Sequence, residues 1–180
     1  MRTVIRKWFW AWEMDKEEAW LAECAAKGLS LVAVDFCKYT FEETAPGAYQ
    51  VRLEMLPESP RHPESRKYLE FLEETGAEYI GYVNRWVYVR RKSELGAFDL
   101  FSDLSSRAKH LGRILSLLRV LMIFNAGAGI YNLCIGIGFP STVNIVCGCI
   151  SLAVMGLLLY GYRKVDKVQK ALKREQQVFE

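Results

Sequence analysis

The hydrophobic pattern divides the chain in two. Up to about residue 97 the apolar positions come in short alternating or helically spaced groups; beyond Arg119 they merge into two long runs. Residues 3–12 read as a strand in which Trp8, Trp10 and Trp12 alternate with Phe9 and Ala11 and so share one face. Asp15 opens a helix, with Glu18 three residues on as an Asp variant of the capping box. Trp20, Leu21, Cys24 and Ala25 mark its inner side, and Gly28 supplies a left-handed stop. Leu29 to Phe41, rich in Val, Phe and Tyr, predicts a second strand, and Ala45-Pro46-Gly47 a turn. Tyr49, Val51, Leu53 and Met55 then alternate with Gln50, Arg52 and Glu54, a third strand with one apolar and one polar face. A loop stiffened by Pro57, Pro60 and Pro63 leads into a second helix. Tyr68, Leu69, Leu72 and Thr75 line one side of it, and Gly76 ends it. Glu78 to Arg91 predicts a fourth strand. The order is that of an α+β, ferredoxin-like βαββαβ domain, an antiparallel sheet with both helices on one face. Leu21, Cys24 and Gly28 recur 48 residues later as Leu69, Leu72 and Gly76, a faint echo between the halves.

From residue 98 the period is helical. Phe101, Leu104, Ala108, Leu111, Leu115 and Leu118 form a seam, with Arg107, Lys109, His110 and Arg113 off it. This predicts an amphipathic helix at a membrane surface over 98–118. Val120 to Phe139 then gives 20 uncharged residues and Thr142 to Tyr162 gives 21, joined at Pro140-Ser141. A run of about 18 or more apolar residues is long enough to cross a hydrocarbon core of ~30 Å. A transmembrane hairpin is therefore expected over 119–162, with spans at 119–139 and 142–162. A basic helical tail follows over 163–180, its apolar side formed by Val165, Val168, Leu172 and Phe179. The cytoplasmic domain occupies 1–97. Within the spans, Asn125, Gly129, Asn132 and Gly136 fall on one stripe, and Asn144, Gly148 and Ser151 on another. Counting outward from the turn pairs Gly136 with Asn144, Asn132 with Gly148 and Gly129 with Ser151, so that polar residues hydrogen-bond across. The same stripe is also suited to pairing two copies as a homodimer. No Asp, Glu, Lys or His lies deep in either span, which argues against a proton relay or ion pump.

Charge sharpens this picture. The whole chain carries a net +3, but residues 1–99 hold 14 Lys/Arg against 17 Asp/Glu, and residues 100–180 hold 10 against 4. The positive excess flanks the apolar runs. Arg107, Lys109, Arg113 and Arg119 precede the first, and Arg163, Lys164, Lys167 and Lys170 follow the second. Anionic lipid headgroups are the expected partners of these residues, and both termini are expected in the cytoplasm. No signal peptide is expected, because the apolar stretch after Arg6 and Lys7 is short and interrupted by Glu13 and Asp15. The five cysteines lack metal-ligand spacing, and no cofactor is expected.

Candidate chemistry is sparse. A ferredoxin-like sheet leaves one face uncovered by its own helices, so Trp8, Trp10, Trp12, Arg52, Glu54, Trp86 and Tyr88 are the candidate ligand or partner face. The third strand lacks the Lys/Arg-Gly-aromatic pattern of RNA-binding domains and the head is net acidic, so nucleic acid is not an expected partner. His62 and His110 have no nucleophile or metal cluster around them in sequence. His62, before Pro63, suits helix capping, and no enzyme is expected.

Several stretches together resemble a known family. They are Arg6-Lys7-Trp8-Phe9-Trp10, Phe36-Cys37-Lys38-Tyr39-Thr40-Phe41, Gly47-Ala48-Tyr49 through Arg52-Leu53-Glu54, His62-Pro63-Glu64-Ser65, Glu74-Thr75-Gly76-Ala77-Glu78-Tyr79, Arg85-Trp86-Val87-Tyr88 and Phe98-Asp99-Leu100-Phe101. In that order, over roughly residues 5–110, the chain resembles the bacterial domain of unknown function 2812 family. The resemblance implies a small membrane protein of Gram-positive bacteria, often encoded beside PadR-type repressors, with no activity attached. It implies a regulatory role, in repressor binding or envelope-stress sensing. The expected function is a membrane-anchored cytoplasmic binding and regulatory module with a protein partner. The alternative is an accessory subunit of a membrane transport or export complex, recognised through its hairpin.

Overall fold

The computed structural model describes residues 2–101 and 103–179. Met1, Ser102, Glu180 and the side chains of Val178 and Phe179, the last assigned above to the apolar side of the tail, lie outside the described residues. The chain forms two compact units, Met1–Asp103 and Leu104–Glu180.

The first unit is α+β with six strands among its described residues. In chain order they and their helices are β1 (Arg2–Arg6), α1 (Met14–Ala26), β2 (Leu29–Asp35), β3 (Lys38–Glu43), β4 (Tyr49–Met55), α2 (Pro63–Glu74), β5 (Ala77–Val83) and β6 (Trp86–Lys92). They build two three-stranded antiparallel sheets, ordered β1-β3-β2 and β4-β6-β5. This differs from the βαββαβ order expected. Two of the four expected strands are hairpins. Leu29–Phe41 folds back at Phe36-Cys37, and Glu78–Arg91 at Asn84-Arg85. Cys37 and Asn84 adopt left-handed φ values of 54° and 57° that turn the chain. The first expected strand ends at Arg6, because its partner β3 begins at Lys38 and offers no further ladder.

The two sheets are built to one plan, a βαββ unit used twice with an offset of 48 residues. Helix α1 ends at Lys27 (φ −88°, ψ 6°) and α2 at Thr75 (φ −83°, ψ 5°). The next residues, Gly28 and Gly76, both take a left-handed φ, +80° and +85°, which only glycine holds without strain. The register slips between Leu31 and Ala33 in β2 and between Tyr79 and Gly81 in β5, again 48 apart.

Packing follows from alternation. Tyr88 of β6 joins Met14, Leu21, Leu31, Tyr39, Phe41 and Leu53 in a core under α1. Its neighbours Val87 and Val89 join Leu56, Leu69, Leu72 and Phe98 in a second core under α2. The central strand β6 is thus buried on both faces, and the two helices cover opposite faces of its sheet rather than one. Burial of each such side chain contributes roughly 1.5–3 kcal/mol. Phe98, assigned by its spacing to the linker helix, belongs to this second core.

The second unit is two helices, α3 (Leu104–Gly138) and α4 (Thr142–Phe179), both long and apolar enough to cross a membrane. They pack antiparallel. Near the turn Gly129 faces Gly148, further along the Arg119 guanidinium donates to the Tyr162 hydroxyl at 3.3 Å, and at the far end Gln169 Nε2 donates to the Ala108 carbonyl at 2.8 Å. The 104–118 segment is therefore packed against the 163–179 extension of α4 and is not a free amphipathic helix. Ala108, Leu111, Ile114, Leu115, Leu118 and Val165 are buried. His110, placed by spacing on the polar side, is also fully buried.

Candidate functional site

One corner of the first unit carries exposed aromatic rings. After β1 the chain leaves the sheet. A turn, closed by the Glu13 N–H donating to the Trp10 carbonyl at 2.8 Å, leads it into α1. Trp8 and Trp10, 53% and 38% exposed, meet edge-to-face at 5.3 Å between centroids, and Trp8 meets Phe36, 67% exposed, at 5.6 Å. Trp12 stacks on Trp10 at 5.0 Å but is itself buried, so the three indoles do not share an open face. Phe36 stands at the tip of the β2–β3 hairpin, where the Asp35 carboxylate accepts its N–H at 2.7 Å. An open cleft of about 580 Å³ lies here, lined by Arg6, Lys7, Trp8, Asp35, Phe36 and Lys38 among others. Lys7 lies over the rings of Phe9 and Trp20 at 5.0 and 4.6 Å.

The remaining residues of the expected sheet face lie elsewhere. Tyr88 and Glu54 are buried, and Trp86 and Arg52 are half-buried. Glu54 accepts the Tyr68 hydroxyl from α2 at 2.6 Å, so the polar side of β4 is covered by a helix at that point. Nothing in the alternation of β4 could reveal this, because a carboxylate reads as solvent-facing unless its buried donor is known.

The buried polar centre is Glu17 on α1. Its Oε1 accepts the hydroxyls of both Tyr39 and Tyr88, each at 2.7 Å. Burial raises the Glu17 pKa, and the two hydrogen bonds partly oppose this. Burial and the neighbouring Glu17 carboxyl raise both phenols in turn. Glu18 does not close a capping box. Its Oε1 accepts the backbone N–H of Leu53 at 2.8 Å, on the edge strand β4, and burial pushes its pKa up to about 7. His62 does cap α2, accepting the Glu64 N–H at 3.3 Å. Arg90 ties the two sheets together. It donates to Glu78 at 2.7 Å, Ser30 at 3.1 Å, the Leu31 carbonyl at 3.0 Å and Glu42 at 3.3 Å, and its guanidinium lies 4.2 Å from the Tyr49 ring centroid. No cluster of three or more His, Cys, Asp or Glu side chains that could hold a metal occurs among the described residues.

In the second unit, Gly129, Gly136 and Gly148 are buried and Asn125, Asn132, Asn144 and Ser151 half-buried. The contacts run one position away from the expected pairs. A Cβ on Gly129 would meet Leu152 at 2.7 Å, and one on Gly148 would meet Leu133 at 2.7 Å and the Gly129 carbonyl at 3.0 Å. The helix backbones touch glycine to glycine. Asn125 and Asn132 donate to carbonyls of their own helix, Leu121 and Ala128, both at 2.8 Å, and not across to α4. At the turn the Ser141 N–H donates to the Gly136 carbonyl at 3.2 Å. Arg107, Lys109, Arg119, Arg163 and Lys164 are exposed and Arg113 half-buried, all toward the helix ends remote from Pro140.

No curated protein and no solved structure matches the chain. A family model described as a protein of unknown function matches residues 13–123, from the start of α1 into the first apolar run. That match covers more than half of the chain, which therefore belongs to the DUF2812 family.

Proposed function

We propose that the chain is a two-pass membrane protein with both termini in the cytoplasm, and that its α+β head is a binding module with a regulatory role. The observation that carries this reading is the Trp8–Trp10–Phe36 corner, three large rings left in solvent on a head whose other tryptophans, Trp12, Trp20 and Trp86, are buried or half-buried. Exposed apolar patches of this kind mark contact surfaces. The hairpin reading is supported by two helices of spanning length and by cations gathered at the ends away from the turn. A photo-crosslinking residue placed at position 36 of the full chain in native membranes is expected to give adducts. The same residue at position 71, exposed on α2, is the control. Equal labelling at the two positions would remove the basis for a specific contact surface.

A further inference from the structure

We infer that the aromatic corner is a second, peripheral membrane anchor. It seats the head on an anionic bilayer surface through Trp8, Trp10 and Phe36, with Arg6, Lys7 and Lys38 on the headgroups. This rests on the two-pass reading above and names the partner of that contact surface.

The corner has the composition that an interface between water and lipid selects. Indole is an apolar body with one polar N–H, and such rings concentrate at the headgroup level. Phe36 is purely apolar and is held out at a hairpin tip, fixed by the left-handed Cys37 and by the Asp35 cap on its own N–H. The charges around the rings are not balanced. Arg6 and Lys38 are direct cross-strand partners in the β1–β3 ladder, with Lys7 next in sequence, against two carboxylates, Asp35, which faces Lys38 across the β2–β3 ladder, and Glu13, which accepts the Trp10 N–H at 3.3 Å. Like charges directly opposite one another destabilise a ladder, whereas the far end of the same ladder pairs Arg2 with Glu42. Asp35, opposite Lys38 on its other side, offsets only part of that repulsion; an anionic surface offsets the remaining positive charge and also covers the rings, and polybasic segments are drawn to anionic leaflets. The chain itself supplies the proximity, since the head is joined directly to a helix of spanning length.

The sequence allows a clean test. All five tryptophans, Trp8, Trp10, Trp12, Trp20 and Trp86, lie in the head, and none lies in the apolar runs. Quenching of tryptophan fluorescence by bromine-labelled acyl chains therefore reports contact of the head with lipid. The full chain is reconstituted into vesicles of phosphatidylglycerol and phosphatidylcholine, and insertion is read separately by resistance to alkaline extraction. Quenching is expected in the mixed vesicles. It should fall by at least half in Trp8→Phe with Trp10→Phe, which removes the reporters while keeping aromatic bulk. It should also weaken in Arg6→Gln with Lys38→Gln, or when phosphatidylcholine alone is used. Inserted protein that shows no quenching, or quenching indifferent to these variants, would overturn the anchor while leaving the two-pass reading intact. Position-36 crosslinks to a protein instead of lipid would likewise overturn it. Protein released by alkaline extraction would overturn both.

Discussion

Tyr39→Phe removes one hydroxyl and nothing else from the centre of the head. The ring stays in its contacts with Trp20 at 4.9 Å and Phe9 at 6.4 Å, while Glu17 loses one of the two phenol donors on its Oε1. A hydrogen bond to a charged group contributes about 1.5–3 kcal/mol. For a unit of roughly a hundred residues, a loss of about 2 kcal/mol lowers Tm by about 10 °C. The loss should also depend on pH. Burial raises the Glu17 pKa above the ordinary 4.5, so the folded state binds its proton more tightly than the unfolded state does. That contribution to stability is present below 4.5 and is lost as pH rises through the folded pKa. The two tyrosines restrain the upward shift, so removing one raises it further. Tyr39→Phe should therefore cost more at pH 8 than at pH 5, because the lost hydroxyl favours the ionised carboxyl. The assay is urea unfolding of the full chain in mild detergent, followed by near-ultraviolet circular dichroism at both pH values. A cost below about 0.5 kcal/mol at pH 8, or an equal cost at the two pH values, would refute the reading that Glu17 is a buried carboxylate held by its phenols.

Glu18→Gln keeps an oxygen to accept the Leu53 N–H but removes the charge. With the Glu18 pKa at about 7, wild-type stability should fall between pH 4.5 and 7 by an amount on the order of 2 kcal/mol, and the variant should fall less; identical slopes would contradict this. Arg90→Lys cannot reach Glu78, Ser30, Leu31 and Glu42 together. Arg90 is 11% exposed but its carboxylate partners are 40% and 43% exposed, so the cost is set at about 1–3 kcal/mol, below that of a fully buried pair, and an unchanged urea midpoint would refute the bridging role. Gly129→Leu should disrupt the pairing of α3 with α4, read as faster proteolysis in detergent. Gly127→Ala, two residues away with nothing within 4 Å of the added carbon, should leave it unchanged, and equal effects would deny the glycine contact.

What the sequence revealed depended on whether a signal was local. The helices of the head, their glycine stops and the two apolar runs are local patterns, and they stand in the structure at or near the expected residues. The hairpin tips were hidden because Phe36-Cys37 and Asn84-Arg85 sit inside β-favouring residues. The length of Leu29–Phe41, well beyond an ordinary strand, was the available clue. The faint 48-residue echo proves to be a repeated βαββ unit. Its caps and register slips recur at the same offset, although few side chains do. Alternation over Trp8, Trp10 and Trp12 was misleading because a strand needs a partner ladder, and β3 supplies none beyond Lys38. The buried settings of Glu17, Glu54 and Arg90 were not legible, since each depends on donors or acceptors distant in sequence.

The second unit is proposed to cross a bilayer twice and to hold the head inside the cell. Single accessible cysteines are introduced, on a cysteine-free background, next to Pro140, near the amino terminus and near the carboxyl terminus. They are labelled in intact cells with a membrane-impermeant maleimide, before and after permeabilisation. The account requires labelling of the Pro140 site alone in intact cells and of all three afterwards; labelling of either terminus from outside, or shielding of the turn with both helices in the pellet, would contradict it.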